Sequence, residues 1–202
     1  MQDPDPPPLE LMELLERLGL LLQTERRRQS SLHGLSEVHL ALLHYLARCN
    51  RFSNTPRAVS EYLGITKGTI SQSIKLLESR GLLRKRPDKE DRRIMRLALT
   101  RKGTALARSG SADAWHSVLA RLPKDDLAVA ARALQALLAG LQESNGYRTF
   151  LQCGTCRHLE STGSGHRCGL TGQPLKASDL DRICMEHQPL YPCHPRRHRG
   201  TR

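Results

Sequence analysis

Mainly helical, with one short β-hairpin and a small cysteine-rich module at the C-terminal end: three features of the sequence predict this fold class. Leucines recur at three- and four-residue spacing on either side of residues 35–103, as in amphipathic helices. Inside that stretch two short helical patterns meet at Gly64 and stop at Gly81, and an apolar alternation then runs out and back across a charged turn. Five of the six cysteines fall after residue 150. Together these describe a winged helix-turn-helix with a helical dimerisation region over residues 8–145, a cysteine-rich module over 147–194 and a basic tail over 195–202.

Residues 3–8 are proline-rich and read as a stiff lead-in. The helix after them carries Leu11, Leu14, Leu15, Leu18, Leu21 and Leu22 and is expected to end in the charged run Arg26, Arg27, Arg28. Ser36 is the expected N-cap of a second helix running to about Cys49. His39 and His44, five residues apart, do not share a helix face and are read as ordinary helix residues; Cys49 is read as a small core residue. Thr55 caps a short helix whose inner residues are Ala58, Val59 and Leu63, Gly64 ends it, and Ile65 plugs the turn. Thr66 or Thr69 opens the next helix, with Ile70, Ile74 and Leu77 facing inward and Gly81 as its left-handed stop.

A strand from Leu82 to Arg86, the polar loop PDKEDR and a returning strand IMRLAL then form the wing. Thr100 caps a helical region from 101 to about 121, and Pro123 opens a last helix that ends near Ser144–Gly146. Leu127, Leu134 and Leu141, with Ala130 and Leu137 between them, make a heptad-like seam on that helix.

Charge narrows the partners. The 202-residue chain carries a formal +12 and a pI near 10.0, which favours a polyanion. No apolar run is long enough to span a membrane, and the acidic, proline-bearing start is unlike a signal peptide, so a cytoplasmic location is expected. At 3% aromatic residues, an RNA-type stacking surface is not expected.

With the helix-turn-helix core facing inward, Thr66, Lys67, Thr69, Ser71, Gln72 and Lys75 are left outward. Gln and Ser suit base edges in a major groove, and Lys and Thr suit phosphates. Between Arg84 and Lys102 stand nine Lys/Arg against three Asp/Glu, so the hairpin is basic as well, Arg86, Arg92 and Arg93 among its cations. A solvated charged turn would share that composition; its place beside a helix-turn-helix points to double-stranded DNA.

The stretch LGITKGTISQSIKLLESRGLLRKRPDKEDRRIMRLALTRKG, with helices before and after it, resembles the MarR family of transcriptional regulators. That family's wing carries an Asp, a variable residue or Arg, then an Arg, and later Leu-Thr and a Gly; Asp91, Arg92, Arg93, Leu99, Thr100 and Gly103 match. The resemblance implies an obligate homodimer and Asp91 bracing Arg93 for entry into the minor groove. Dimerisation is also expected on physical grounds, because a two-fold dimer reads both halves of a palindromic operator where one winged helix makes few contacts.

In the module, Cys153 and Cys156 form C-x2-C, and Cys168 and Cys184 follow after eleven and fifteen residues. In a reducing cytoplasm this pattern points to metal ligation. A segment so poor in apolar residues is expected to draw folding energy from the metal. One C-x2-C with two spaced cysteines is a possible four-cysteine ligand set for an iron–sulfur cluster and resembles the layout of high-potential iron–sulfur proteins. Phe150, Tyr147 and Tyr191 are the aromatics at hand to shield it; His158, His166, His187 and His194 would suit zinc instead, and Cys193 is spare.

The expected function is a dimeric DNA-binding regulator, acting as a repressor, modulated by a 4Fe–4S cluster that senses redox state, oxygen or iron. A structural zinc with a small-molecule or thiol-oxidation signal is the alternative. From another class stand a redox enzyme or a protein-interaction module using the winged helix as scaffold. Residues 1–150 contain no nucleotide loop, nucleophile elbow or carboxylate pair, so an enzyme is not expected.

Overall fold

A computed structural model describes residues 9–108, 117–163 and 165–190. Helix α1 (Leu9–His33) runs past Arg26–Arg28, where the charged run was expected to end it. Glu25 accepts from Arg28 one turn on at 2.7 Å, and Arg27 lies 3.5 Å from Glu37, so part of the run's charge is paired on the helix surface. Gly34, with φ 57°, makes the turn instead. In α2 (Glu37–Arg48) the Ser36 hydroxyl accepts from the His39 N–H while His39 Nδ1 accepts from the Ser36 N–H. His39 is thus a capping residue.

The helix-turn-helix forms as its caps dictate. Thr55 caps α3 (Pro56–Leu63), Gly64 closes it at φ 65°, and Thr66 caps α4 (Lys67–Ser79). The stop at Gly81 is a Schellman arrangement: Gly81 N–H donates to Glu78 O, and Leu82 N–H to Leu77 O. The wing pairs β1 (Leu83–Pro87) with β2 (Met95–Leu99) antiparallel, Leu83 opposite Leu99 and Pro87 opposite Met95. Leu83 and Leu97 face the core, while Met95 is exposed where the hairpin leaves it.

Thr100 caps α5 (Arg101–Arg108), accepting from the Gly103 N–H at 3.1 Å. Residues 117–119 are also helical; the middle of the helical region expected over 101–121 lies outside the described residues. Helix α6 (Lys124–Ser144) follows Pro123 and closes at Gly146, φ 70°. Among the described residues no helix is long and apolar enough to cross a membrane.

The C-terminal segment comprises a 3-10 turn (Cys153–Thr155), strands β3 (Leu159–Thr162), β4 (Gly165–Cys168) and β5 (Pro174–Leu175) in one antiparallel sheet, and a short α7 (Ala177–Leu180). Phe150, Ile183 and Met185 are buried in the same core as Leu42, Leu43, Val59 and Leu77. The Phe150 ring sits edge-on to Tyr62 at 5.3 Å and to Tyr45 at 6.4 Å. Ile183 N–H donates to Arg48 O, Asn50 N–H donates back to Ile183 O, and Arg182 reaches Ala47 O. Sharing a core explains how a segment with few apolar residues still packs.

Candidate nucleic-acid interface and four-cysteine site

The outward face of α4 is as expected. Lys67, Thr69, Ser71, Gln72 and Lys75 are exposed, whereas Ser73 turns into the core. Thr66 is exposed too, but its hydroxyl already accepts from the Thr69 N–H at 3.3 Å and meets the Thr69 hydroxyl at 3.0 Å. The upper ends of these two residues therefore serve the cap first, leaving Lys67, Ser71, Gln72 and Lys75 as the unencumbered polar face.

On the wing, Asp91 grips Arg93 through both oxygens, Nε and Nη2 each at 2.9 Å. That guanidinium holds the Asp91 carboxyl below its usual range. The pair pre-sets the direction of Arg93, whose side chain is 91% exposed, and Arg86 and Arg92 are exposed beside it.

Arg96, one of the nine wing cations, is used internally. Its Nε donates to Asp88 Oδ2 at 2.7 Å, and Nη1 donates to the carbonyls of Arg51 (3.1 Å) and Phe52 (2.9 Å) and to Asn54 Oδ1 (3.3 Å). With those bonds, and N–H groups of Asp91 and Glu90 on its other oxygen, the Asp88 carboxyl is held down to about 2. Apart from Asp88, its partners come from a loop more than forty residues away along the chain.

Cys153, Cys156, Cys168 and Cys184 line one small cavity. The remaining walls include Asn50 and Phe52 from the loop after α2, and Leu159, Leu170 and Leu175. The sheet brings Cys168 opposite Leu159, and Cys184 N–H donates to Leu151 O, which sets it beside the 3-10 turn of Cys153. Asn50 Nδ2 donates to Cys153 Sγ at 3.3 Å, and Gln188 N–H to Cys156 Sγ at 3.5 Å. The Cys153 thiol donates to Cys184, which lowers Cys184 and, together with burial, raises Cys153. N–H groups aimed at sulfur are the outer contacts that orient metal-ligating cysteines.

His158 also lines the cavity, and its Nε2 is buried with no hydrogen-bond partner. His187 is not available there: it is buried between Thr149 (2.7 Å) and Thr155 (3.1 Å). His166 meets the Ser161 hydroxyl. Among the described residues no three His, Cys, Asp or Glu side chains are grouped to hold a single metal ion. Of the expected shielding aromatics, Phe150 is in the shared core and Tyr147 is exposed. The ring at the cavity is Phe52, which no cysteine spacing could have indicated. Tyr191, Cys193 and His194 lie outside the described residues. Cys49 is a core residue, as expected, its thiol pushed up by burial to about 12.

The sequence model of the MarR family matches residues 33–94. No curated protein sequence matches the chain. Among solved structures, transcriptional regulator PA3341 is 29% identical, covering 66% of this chain and 98% of its own, with a TM-score of 0.53. A mutant MepR from a multidrug-resistant S. aureus clinical isolate is similar at 18% identity, 65% and 97% coverage and a TM-score of 0.56. CouR from Rhodococcus jostii RHA1, bound to p-coumaroyl-CoA, is similar at 24% identity, 64% and 92% coverage and a TM-score of 0.51. Over residues 33–94, the chain is similar to the MarR family of winged-helix proteins.

Proposed function

We propose that the chain is a dimeric DNA-binding transcriptional regulator, acting as a repressor, whose occupancy of a palindromic operator is set by an iron–sulfur cluster on Cys153, Cys156, Cys168 and Cys184. What carries the DNA-binding reading is the exposed polar face of α4 beside a wing whose Arg93 is pre-aimed by Asp91. The similarity to a protein described as a transcriptional regulator supports it. Gln72 and Ser71 would meet base edges, and Lys67, Lys75, Arg86 and Arg92 the phosphates.

A second copy of the chain is the natural cover for the outer helices. Leu14, Leu18 and Leu21 on α1, and Leu134, Leu137 and Leu141 on α6, are all exposed, an apolar surface a lone subunit would leave in water.

The donor set fits a cluster. Four cysteine sulfurs line a cavity, whereas a structural zinc draws its four ligands to within about 2.3 Å of one point. Two N–H donors reach sulfur, and an orphaned imidazole nitrogen is at hand for a bound inorganic group. When bound, an iron–sulfur cluster supplies a centre sensitive to oxygen, redox state or iron. Phe52, Leu159, Leu170 and Leu175 would screen it from water, and Asn50 would donate to the Cys153 sulfur.

Selection of duplexes from a random pool by the anaerobically purified chain tests the first part. A palindromic consensus bound more tightly than random DNA, with affinity falling steeply with salt, is the expected outcome; no preference would refute it. The visible spectrum tests the second: a brown chain, bleached by serine at any of the four cysteines, is expected. A colourless chain with one zinc would overturn the cluster.

A further inference from the structure

We propose that the wing reads the state of the four-cysteine site through the Asn50–Asn54 loop, with Asn50 and Arg96 as the two positioning residues of that link. The inference rests on the metal-site reading above and adds the route by which the site acts on DNA binding.

The link is continuous in the structure. At the sulfur end, Asn50 Nδ2 donates to Cys153 Sγ, while Asn50 Oδ1 accepts the N–H groups of Phe52 (3.0 Å) and Ser53 (2.9 Å), so one side chain both touches a ligand and shapes the loop. Ser53 Oγ in turn accepts from the Met185 N–H at 2.9 Å, next to Cys184. Phe52 lines the cavity itself. The outer side of the loop is held by Arg51, which donates to Pro174 O at 2.6 Å.

At the wing end, Arg96 ties both carbonyls at the crest of this loop to Asp88, and Leu97 N–H donates to Asn54 O at 2.7 Å. Asp88 Oδ1 then accepts the N–H of Asp91, the residue that grips Arg93. Through Phe52, a run of seven residues from Cys153 to Arg93 is thus joined by bonds of 3.3 Å or less. A filled cavity fixes Asn50 and Phe52 and keeps the two carbonyls where Arg96 needs them. An emptied one frees the loop, and the wing loses its inner anchor. The bonds of Arg96 run to Asp88 and to the Arg51–Asn54 loop, so it acts on Arg93 through Asp88 and Asp91.

The test is hydrogen–deuterium exchange of the wing amides over residues 88–97 in the full chain. One sample is loaded anaerobically with ferrous iron and sulfide, and the other is stripped with a chelator. We expect exchange about tenfold faster in the stripped chain, an ordinary size for coupling between sites. In Arg96→Gln, exchange should be fast in both states while the visible absorbance of the loaded chain is unchanged, which a loss of folding would not give.

Equal wing exchange in loaded and stripped wild type, with the absorbance present, overturns the link and leaves the cluster standing. So does an Arg96→Gln chain that couples like wild type. A chain that takes up no iron–sulfur absorbance removes the cluster reading, and the inference with it.

Discussion

Gly103→Ala tests how the wing is seated. Gly103 lies in the first turn of α5 with no positive φ, so helix propensity alone favours alanine, by up to about 1 kcal/mol. Its surroundings oppose it. A Cβ at this position would stand 1.9 Å from the carbonyl oxygen of Leu82 and 2.9 Å from its carbon, backbone atoms that no rotamer can move. That oxygen is also the acceptor of the Thr100 N–H at 3.1 Å and the Thr100 hydroxyl at 3.2 Å, the bonds that join β2 and α5 to the base of β1. Opening the contact by about 1 Å costs about 1–3 kcal/mol in strain, and weakening two hydrogen bonds adds about 1 kcal/mol each. Less the propensity gain, the expected net loss is about 3 kcal/mol, or about 6–12 °C in Tm for a chain of this size. The assay is a thermal melt followed by far-ultraviolet circular dichroism, with Gly68→Ala as control, since a Cβ there meets nothing closer than 3.9 Å. A Gly103→Ala chain melting within about 2 °C of wild type would refute the close-approach argument.

Four further outcomes follow. Phe150→Ala should cost about 3–5 kcal/mol and lower the urea midpoint of the whole chain, since the ring is buried with Tyr45 and Tyr62; an unchanged main transition would mean the C-terminal segment does not share the core. Asp88 has a folded value of about 2 against an ordinary 3.8, so its contribution to the wing is complete above 3.8 and is lost as pH falls through about 2; carboxyl NMR showing a midpoint at 4 or above would contradict it. Arg92→Ala should shallow the logarithmic salt dependence of duplex binding by about 0.9, and an unchanged slope would place Arg92 away from phosphate. Gln72→Ala should lose about 1–3 kcal/mol of preference for the selected duplex with little change on random DNA; a uniform loss on both would make Gln72 a backbone contact.

What the sequence determined by itself was local. Thr55, Gly64, Thr66 and Gly81 specify where helices start and stop because caps and left-handed turns depend on a few neighbouring bonds. The alternation through Leu97 and the Asp91–Arg93 brace, two residues apart, are equally local. The end of α1 lies beyond the charge run because Glu25 and Glu37 pair with Arg28 and Arg27, contacts that a charge run by itself does not reveal. What only the tertiary structure decided is where distant segments meet. The spacing of cysteines implies a ligand set, but not that Phe150, Ile183 and Met185 complete the core of the winged helix, nor that Asn50 and Phe52 wall the cavity. Arg96 shows the reason most plainly. Strand periodicity assigns it a face, but its role is set by two carbonyls brought within 3.1 Å by the packing of α2 and β2, a contact that no pattern along the chain encodes.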